Sequence, residues 1–466
     1  MMQTLRTDVA IIGAGTAGLS AYRAAKAEGA SAIIIEGGAY GTTCARVGCM
    51  PSKLLIAAAE AAHAVAMAPR FGVNPLGMEI DGRAVMERVR SERDRFVGFV
   101  VNSTLALPEA DRLVGHARFI DDGLLQVGEH TQVRAKSVVI ATGSTPAVPE
   151  SLAGLGDRLI VNDDVFAWED LPRSVAVVGA GVIGLELGQA LARLGVRVTL
   201  YGGSHGSVGP LTDPRLIGEA HRVFGAQMSF ETQGRVVAAT RSDAGVTLRY
   251  ARADGTQSED TFDYVLAAAG RHPNVANLGL ANTSLELDAH GAPRFDAATL
   301  QVGTAPVFLA GDANDVLPLL HEAADEGRAA GRNAARFPEV EPVARRAPLA
   351  IVFSDPQIAM VGKSHRELVE GSFVTGAVSF ADQGRSRVML RNHGIGHVYV
   401  DRATRRFVGA EWLGPAAEHI GHLLAWSVQM GLSVDDMLAM PFYHPVVEEG
   451  LRTALRDAAS QLNHHG

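Results

Sequence analysis

The chain has 466 residues, 47% of them hydrophobic, and carries a formal net charge of −9 from 51 acids against 42 bases. At roughly 150 residues per domain that length suggests about three domains, and the acidic balance argues against nucleic acid or an anionic membrane surface as a partner. No run of about 18 uncharged apolar residues suggests a membrane span, and the opening MMQTLRTDVAIIGAG holds too short an apolar run for a signal peptide; the sequence reads as cytoplasmic, where a persisting disulfide is more often catalytic than structural.

The first predicted strand is TDVAII, Thr7 to Ile12, a short apolar run suited to a buried parallel sheet. It leads into Gly13-Ala14-Gly15-Thr16-Ala17-Gly18 and a helical stretch, LSAYRAAKAEG; a second strand, SAIII, ends at Glu36. Strand, glycine turn, helix, strand and acid together make a dinucleotide fingerprint. Gly13, Gly15 and Gly18 allow a tight turn and close approach of a pyrophosphate. The helix N-terminus attracts its charge, and Glu36 suits a ribose 2′-hydroxyl.

Within a few residues comes GTTCARVGCMPSK, Gly41 to Lys53, which holds Cys44 and Cys49, the only cysteines of the chain. A disulfide stabilises mainly by closing a loop, and this loop is too short to gain much. On an ideal helix, positions i and i+5 lie on different faces, too far apart to bridge. A bonded pair therefore needs Cys44 on a loop or distorted first turn, slack at Gly48, and a helix running on from Pro51, Ser52 and Lys53. A thiol at a helix N-terminus has its pKa lowered by the dipole. Spacing alone leaves two readings open: a reversible dithiol/disulfide pair, or two buried thiols acting as small hydrophobes.

Helices are expected over about 51–67 and 81–107, and short strands near Arg118, Leu124 and Arg134. The strand in KSVVIATGS runs into a turn at Ala141-Thr142-Gly143, another place for close backbone approach, and Pro146 and Pro149 form a linker. The first pattern then recurs in RSVAVVGAGVIGLELGQALARLGVRVTLYGG, with Gly179, Gly181 and Gly184 in the glycine positions. Two such units imply two dinucleotides. Here the second strand ends at Tyr201 and Gly202, without the ribose acid; Ser204 and His205 are the polar candidates, no arginine stands by for a 2′-phosphate, and NAD and NADP both stay open.

Strand-like runs continue to FDYVLAAAG, ending in Gly270-Arg271-His272-Pro273-Asn274. TAPVFLAGDAN gives an apolar strand closing on Gly311-Asp312, a carboxylate where doubly wound sheets bind ligands, or else a helix N-cap. His321 lies on an amphipathic helical stretch, where a lone histidine is more often packed or exposed than catalytic. After a charged linker, FPEVEPVARRAP, a third unit mixes strands and helices without a phosphate loop, as suits dimerisation or substrate binding. Near its end PFYHPVVEE places His444 beside a proline with Glu449 near enough to orient the ring, a candidate general base or a surface loop histidine.

Taken in order over essentially the whole chain, these segments resemble the class I pyridine nucleotide–disulfide oxidoreductases, most closely the dihydrolipoyl dehydrogenase branch. The family motif GGTCxNxGCxPSK is similar to Gly41–Lys53, with Thr42 for its second glycine and Arg46 for its asparagine; IVFSDPQIAMVG resembles the start of its interface domain. Its terminal HPxxxE is similar to His444–Glu449, with Val446 for the usual threonine and Phe442-Tyr443 for the preceding HA. The resemblance implies an α/β fold with two Rossmann-like domains and a C-terminal α+β dimerisation domain: an FAD domain at 1–149 completed by about 271–346, an NAD(P) domain at 150–270 and an interface domain at 347–466. It implies FAD on the first unit, with contacts at Glu36, Thr43, Ala141, Thr142, Gly143, Gly270, Arg271, Gly311, Asp312 and His321, and NAD, with NADP not excluded, on the second. No metal is expected.

The same resemblance implies a homodimer in which His444 serves the partner's site, Cys49 facing the flavin, Cys44 facing substrate, and a Lys53–Glu186 pair near the reactive flavin nitrogen. The expected reaction is oxidation of dihydrolipoamide or a lipoyl domain through a Cys44–Cys49 disulfide, with hydride passed to NAD+, in one setting as part of a 2-oxo acid dehydrogenase complex. The alternatives are an NADPH-dependent disulfide reductase of glutathione reductase type and a non-catalytic flavin redox sensor.

Overall fold

The computed structural model describes residues 2–203 and 206–463; Ser204 and His205, the polar candidates for the nicotinamide ribose, lie outside the described residues. The chain forms two compact units.

The first unit comprises Met1–Pro51, Arg88–Ala147 and Arg271–Arg345. Its strand Gln3–Ile12 lies between Ala32–Glu36 and Thr131–Ile140, and Val307–Leu309 joins on the far side, all parallel. The apolar runs suit strands buried on both faces. Ile11, Ile34, Val139 and Phe308 pack into one core, beneath the helices Thr16–Ala27 and Leu320–Arg336. Their chain neighbours Ile12, Ile33, Ile35, Val138, Ile140 and Leu309 pack into another on the opposite face. Each such side chain contributes about 1.5–3 kcal/mol when fully buried, and a one-residue slip in register would exchange the two faces. Every glycine turn singled out above follows the C-terminal end of one of these strands or of their counterparts in the second unit.

The second unit comprises Ser52–Glu87, Val148–Gly270 and Arg346–Gly466. The strand Ser174–Val178 lies parallel between Arg197–Tyr201 and Tyr264–Ala267. A five-stranded antiparallel sheet follows, ordered Leu349–Val352, Gln357–Gly362, Phe407–Gly414, Ile395–Asp401 and Phe373–Ser379. The helices Ala417–Gln429 and Glu449–Asn463 cover it around the fully buried Trp412. A buried polar network ties the helix Pro214–Gly225 to this sheet. Asp213 caps the helix through Arg215 N–H and receives hydrogen bonds from His397 Nδ1 at 2.7 Å and the Tyr399 hydroxyl at 3.1 Å. Buried Glu411 accepts from Thr212 and from the Asp213 and His365 amides.

Two local expectations are adjusted. The long helix begins at Cys49 rather than Pro51, and of the two placements expected for Cys44, a loop or a distorted first turn, the loop is not found: Cys44 lies in a five-residue helix, Thr43–Val47, that ends at Gly48. By length and composition the stretch Thr43–Phe71 could cross a membrane, although Arg46, Lys53 and Glu60 keep it from being an uncharged run. Gly48 interrupts it, and Leu55, Ile56 and Ala59 are buried, while most of its apolar window is not.

Candidate active site

The cysteines stand at the starts of two successive helices. Gly41, with φ of 125°, turns the chain into Thr42, whose φ of 51° is costly for a β-branched residue. Thr42 recovers part of that cost as the N-cap, its hydroxyl accepting from Ala45 N–H at 3.3 Å. The short helix then stops at Gly48, where a Cβ would lie 3.2 Å from Cys44 Cα and 3.1 Å from the Thr43 carbonyl oxygen. The chain therefore folds back on Cys44 just before Cys49. Cys44 is half-buried, and Cys49 and Thr43 are exposed.

The first glycine turn is shaped by contact. Gly13 has φ of 108°, and a Cβ there would lie 2.3 Å from the Ala141 carbonyl oxygen, so this turn and the Ala141-Thr142-Gly143 turn touch. A Cβ on Gly18 would overlap the Gly13 oxygen at 1.8 Å, whereas one on Gly15 would meet nothing within 4 Å. Gly15 caps the helix without a side-chain hydrogen bond, leaving amide donors for an anion. Glu36 accepts from Ala14 N–H and Gly38 N–H, both at 2.8 Å.

Three distant motifs converge in the same unit. Arg271 donates from Nε to the Ser144 hydroxyl and from Nη2 to the Ser144 carbonyl, each at 2.7 Å; the hydroxyl donates to Asp312 Oδ2 at 2.9 Å. Gly311 N–H is held by buried Glu326 at 2.8 Å, which also binds Asn314 and Arg345. Asp312 thus takes its bond from a side chain remote in sequence rather than acting as the helix cap. His321 lies apart from this cluster, half exposed in the first turn of Leu320–Arg336, with Nε2 3.8 Å from Glu322.

In the second unit Gly179, Gly181 and Gly184 repeat the pattern: φ of 121° at Gly179, overlap of a Gly184 Cβ with the Gly179 oxygen at 1.9 Å, open space at Gly181. Val178 pairs with Tyr201 as Ile12 pairs with Ile35, so Gly202 occupies the position of Glu36. A Cβ on Gly202 would lie 3.0 Å from Thr232 Cα. Lys53 Nζ donates to Glu186 Oε2 at 2.7 Å and sits 4.4 Å from the Phe353 ring centroid, while Glu186 Oε1 accepts from Phe353 N–H at 2.9 Å. Glu186 is 4% exposed, so the lysine compensates a buried carboxylate.

Also in this unit, His444 Nδ1 lies 2.9 Å from Glu449 Oε2, and Arg452 donates to Oε1 at 2.9 Å. Partial desolvation opposes ionisation of Glu449, but hydrogen bonds from Val446 N–H and His444, with Arg452 nearby, hold its carboxyl below the usual range. The imidazole is otherwise open, its side chain 79% exposed.

The chain matches pyridine nucleotide-disulphide oxidoreductase over residues 7–327 and the dimerisation domain of that family over residues 349–455. It belongs to this family. Dihydrolipoyl dehydrogenase 3 of Pseudomonas aeruginosa is 30% identical, over 97% of both chains, and dihydrolipoyl dehydrogenase 3 of Pseudomonas putida is 31% identical, over 96% of this chain and 97% of the relative. Among solved structures, LpdA of Mycobacterium tuberculosis superposes with a TM-score of 0.82 at 24% identity, covering 97% of this chain and 99% of that one. The HOCl-induced flavoprotein disulfide reductase RclA of Escherichia coli superposes at 0.81 with 23% identity, covering 98% and 99%. The protein is therefore an FAD-dependent disulfide oxidoreductase that uses a nicotinamide nucleotide and forms a homodimer.

The residues present fit FAD. The uncapped helix start, the open side of Gly15 and the buried, unpartnered Thr142 hydroxyl are what a dinucleotide of this family requires. Sequence reasoning passed over Ser144, Glu326, Phe353 and Arg452. Ser144, next to the Ala-Thr-Gly turn, and Arg452, one helical turn after Glu449, carried a local signal; Glu326 and Phe353 are found only by hydrogen bonds between separate segments.

Proposed function

We propose that the protein oxidises dithiols of the dihydrolipoyl class, using Cys44 and Cys49 as its redox pair and NAD+ as acceptor. One observation carries the reading: Glu449 accepts at His444 Nδ1, so the ring's proton sits there and Nε2 is the free acceptor in an exposed position. That arrangement suits a base that takes a proton from an incoming thiol, the first need of dithiol oxidation. The thiolate attacks Cys44 of the disulfide, the second substrate thiol resolves the mixed disulfide, and the electron pair remains on the Cys49 thiolate. Bound on the first unit, FAD supplies two-electron transfer between this thiolate and the nicotinamide. His444 of one protomer serves the thiols of its partner in this reading.

The remaining assignments follow. Residues 1–149 with about 271–346 bind FAD through Gly13, Gly15, Gly18, Glu36, Thr43, Ala141, Thr142, Gly143, Gly270, Arg271, Gly311, Asp312 and His321. Residues 150–270 bind the nicotinamide nucleotide through Gly179, Gly181 and Gly184, and 347–466 form the interface. Lys53 and Glu186 act beside the flavin. The setting is cytoplasmic, with lipoyl groups of a 2-oxo acid dehydrogenase complex as the natural dithiol. The relatives named dihydrolipoyl dehydrogenase support the substrate class.

The missing acid at Gly202 favours keeping a second reading, an NADPH-dependent reductase of the glutathione reductase type. Steady-state turnover of dihydrolipoamide with NAD+ and of glutathione disulfide with NADPH, measured side by side, separates them. Turnover in the first assay is expected; turnover confined to the second overturns the proposal.

A further inference from the structure

Within the second unit, the end of the helix Cys49–Met67, the C-terminal ends of Val182–Arg193 and Pro214–Gly225, and the loop 389–393 line a partly open cavity of about 430 Å³. That volume lies in the range of small-ligand sites, and none of the residues assigned above lines it. In a chain of net charge −9, the wall carries Arg70, Arg193, Arg222 and Arg391 against two acids, Glu60 and Asp355.

The charges are not all spent within the protein. The Arg193 side chain is 10% exposed and donates from Nη2 to Asp355 Oδ2 at 2.9 Å and Gln227 Oε1 at 3.1 Å. Its Nε is buried and makes no hydrogen bond. Asp355 is already engaged by Arg193, and its backbone is fixed by Gln189 through the 355 amide and carbonyl. Arg222 is paired with Glu219. Arg70 and Arg391 have no ion-pair partner among the described residues. His63 is also present, its pKa lowered by burial and then by Arg193, so at neutral pH it adds a hydrogen-bonding ring rather than charge. Met67, Phe71, Val223 and Leu390 supply an apolar side.

We propose that this cavity binds a small organic anion, a phosphate monoester or carboxylate on a short apolar body, with the anionic group held among Arg70, Arg193 and Arg391. Guanidinium forks recognise both anions in the same bidentate way, so the two are told apart by experiment. Calorimetric titration of the FAD-loaded, full-length protein uses phenyl phosphate, phenylacetate and phenol as probes. One anion site per chain is expected, at about millimolar affinity or tighter, with phenol silent; the stronger of the two anions identifies the class. R70E and R391E each weaken binding by about tenfold or more, R391K keeps part of it, and thiol turnover without the anion is unchanged. Saturating nicotinamide dinucleotide leaves the affinity in place, which separates this cavity from the second glycine turn. The proposal is overturned by the absence of anion binding, by equal binding of phenol, or by unchanged affinity in the folded R70E/R391E double variant, with fold judged by flavin absorbance and melting temperature.

Discussion

The two glycine turns share backbone shape, close contacts and strand register up to the end of the following strand, and then they part. Gly13 and Gly179 share the left-handed backbone, Gly18 and Gly184 press on the preceding turn at 1.8 and 1.9 Å, and Gly15 and Gly181 face open space. At the equivalent strand ends, Glu36 receives two amide hydrogen bonds, while Gly202 is crowded by Thr232, whose Cα lies 3.0 Å from where a Cβ would stand. The phosphate cradle is backbone geometry, which only glycine permits. Ribose recognition is a single side chain and changes independently of it. One chain thus carries two turns of the same backbone shape whose following strands end differently.

The largest expected effect comes from breaking the shared part. Gly18→Ala places a methyl group 1.8 Å from a backbone oxygen, and FAD-loaded protein should not be recovered, as read by flavin absorbance. Gly184→Ala has the same overlap, yet should retain flavin and lose nicotinamide turnover. Loss of flavin in both would show that the two turns do not act separately. Next is the thiol chemistry, which should leave both turns intact. His444→Gln is expected to lower dihydrolipoamide turnover by about a hundredfold or more, with flavin content and nicotinamide KM unchanged.

The part that differs should give smaller changes. Glu36→Ala removes a charge-assisted hydrogen bond worth about 1.5–3 kcal/mol, so FAD should dissociate about ten- to a hundredfold more readily in a fluorescence release assay. Gly202→Ala pushes a methyl group to 3.0 Å from Thr232 Cα and should shift the melting temperature by only a few degrees; a large gain in NAD affinity in Gly202→Glu would contradict the crowding seen there.

The smallest effect at neutral pH concerns the buried network that ties the helix Pro214–Gly225 to the antiparallel sheet. Burial raises the Asp213 pKa, but the His397 hydrogen bond and charge, the Arg215 amide and Tyr399 outweigh it and hold it at about 2. Because the fold favours the carboxylate, this contribution is complete above about pH 4 and is lost as pH falls towards 2. Acid unfolding followed by circular dichroism should show that loss, and Asp213→Asn should reduce stability at neutral pH while flattening the acid limb.

Much of this architecture was legible in the chain itself. The apolar runs TDVAII, SAIII and SVAVV and the glycine spacings announce parallel strands feeding phosphate turns, because a strand buried on both faces tolerates nothing polar and a pyrophosphate approaches only a bare backbone. The Cys44–Cys49 and His444–Glu449 spacings were visible because each pair is only five residues apart in the chain. What the linear order did not carry was pairing at a distance. Arg271 reaches Asp312 through Ser144, Glu326 holds Gly311, Phe353 binds Glu186, and four arginines from separate segments meet in one cavity. Those contacts depend on which strands pair and which helices cover them. The same holds for the ribose position: the sequence by itself determined that Gly202 lacks an acid, but only the tertiary structure shows how tight that position is, because Thr232, at a different strand end, lies 3.0 Å from where a Cβ would stand.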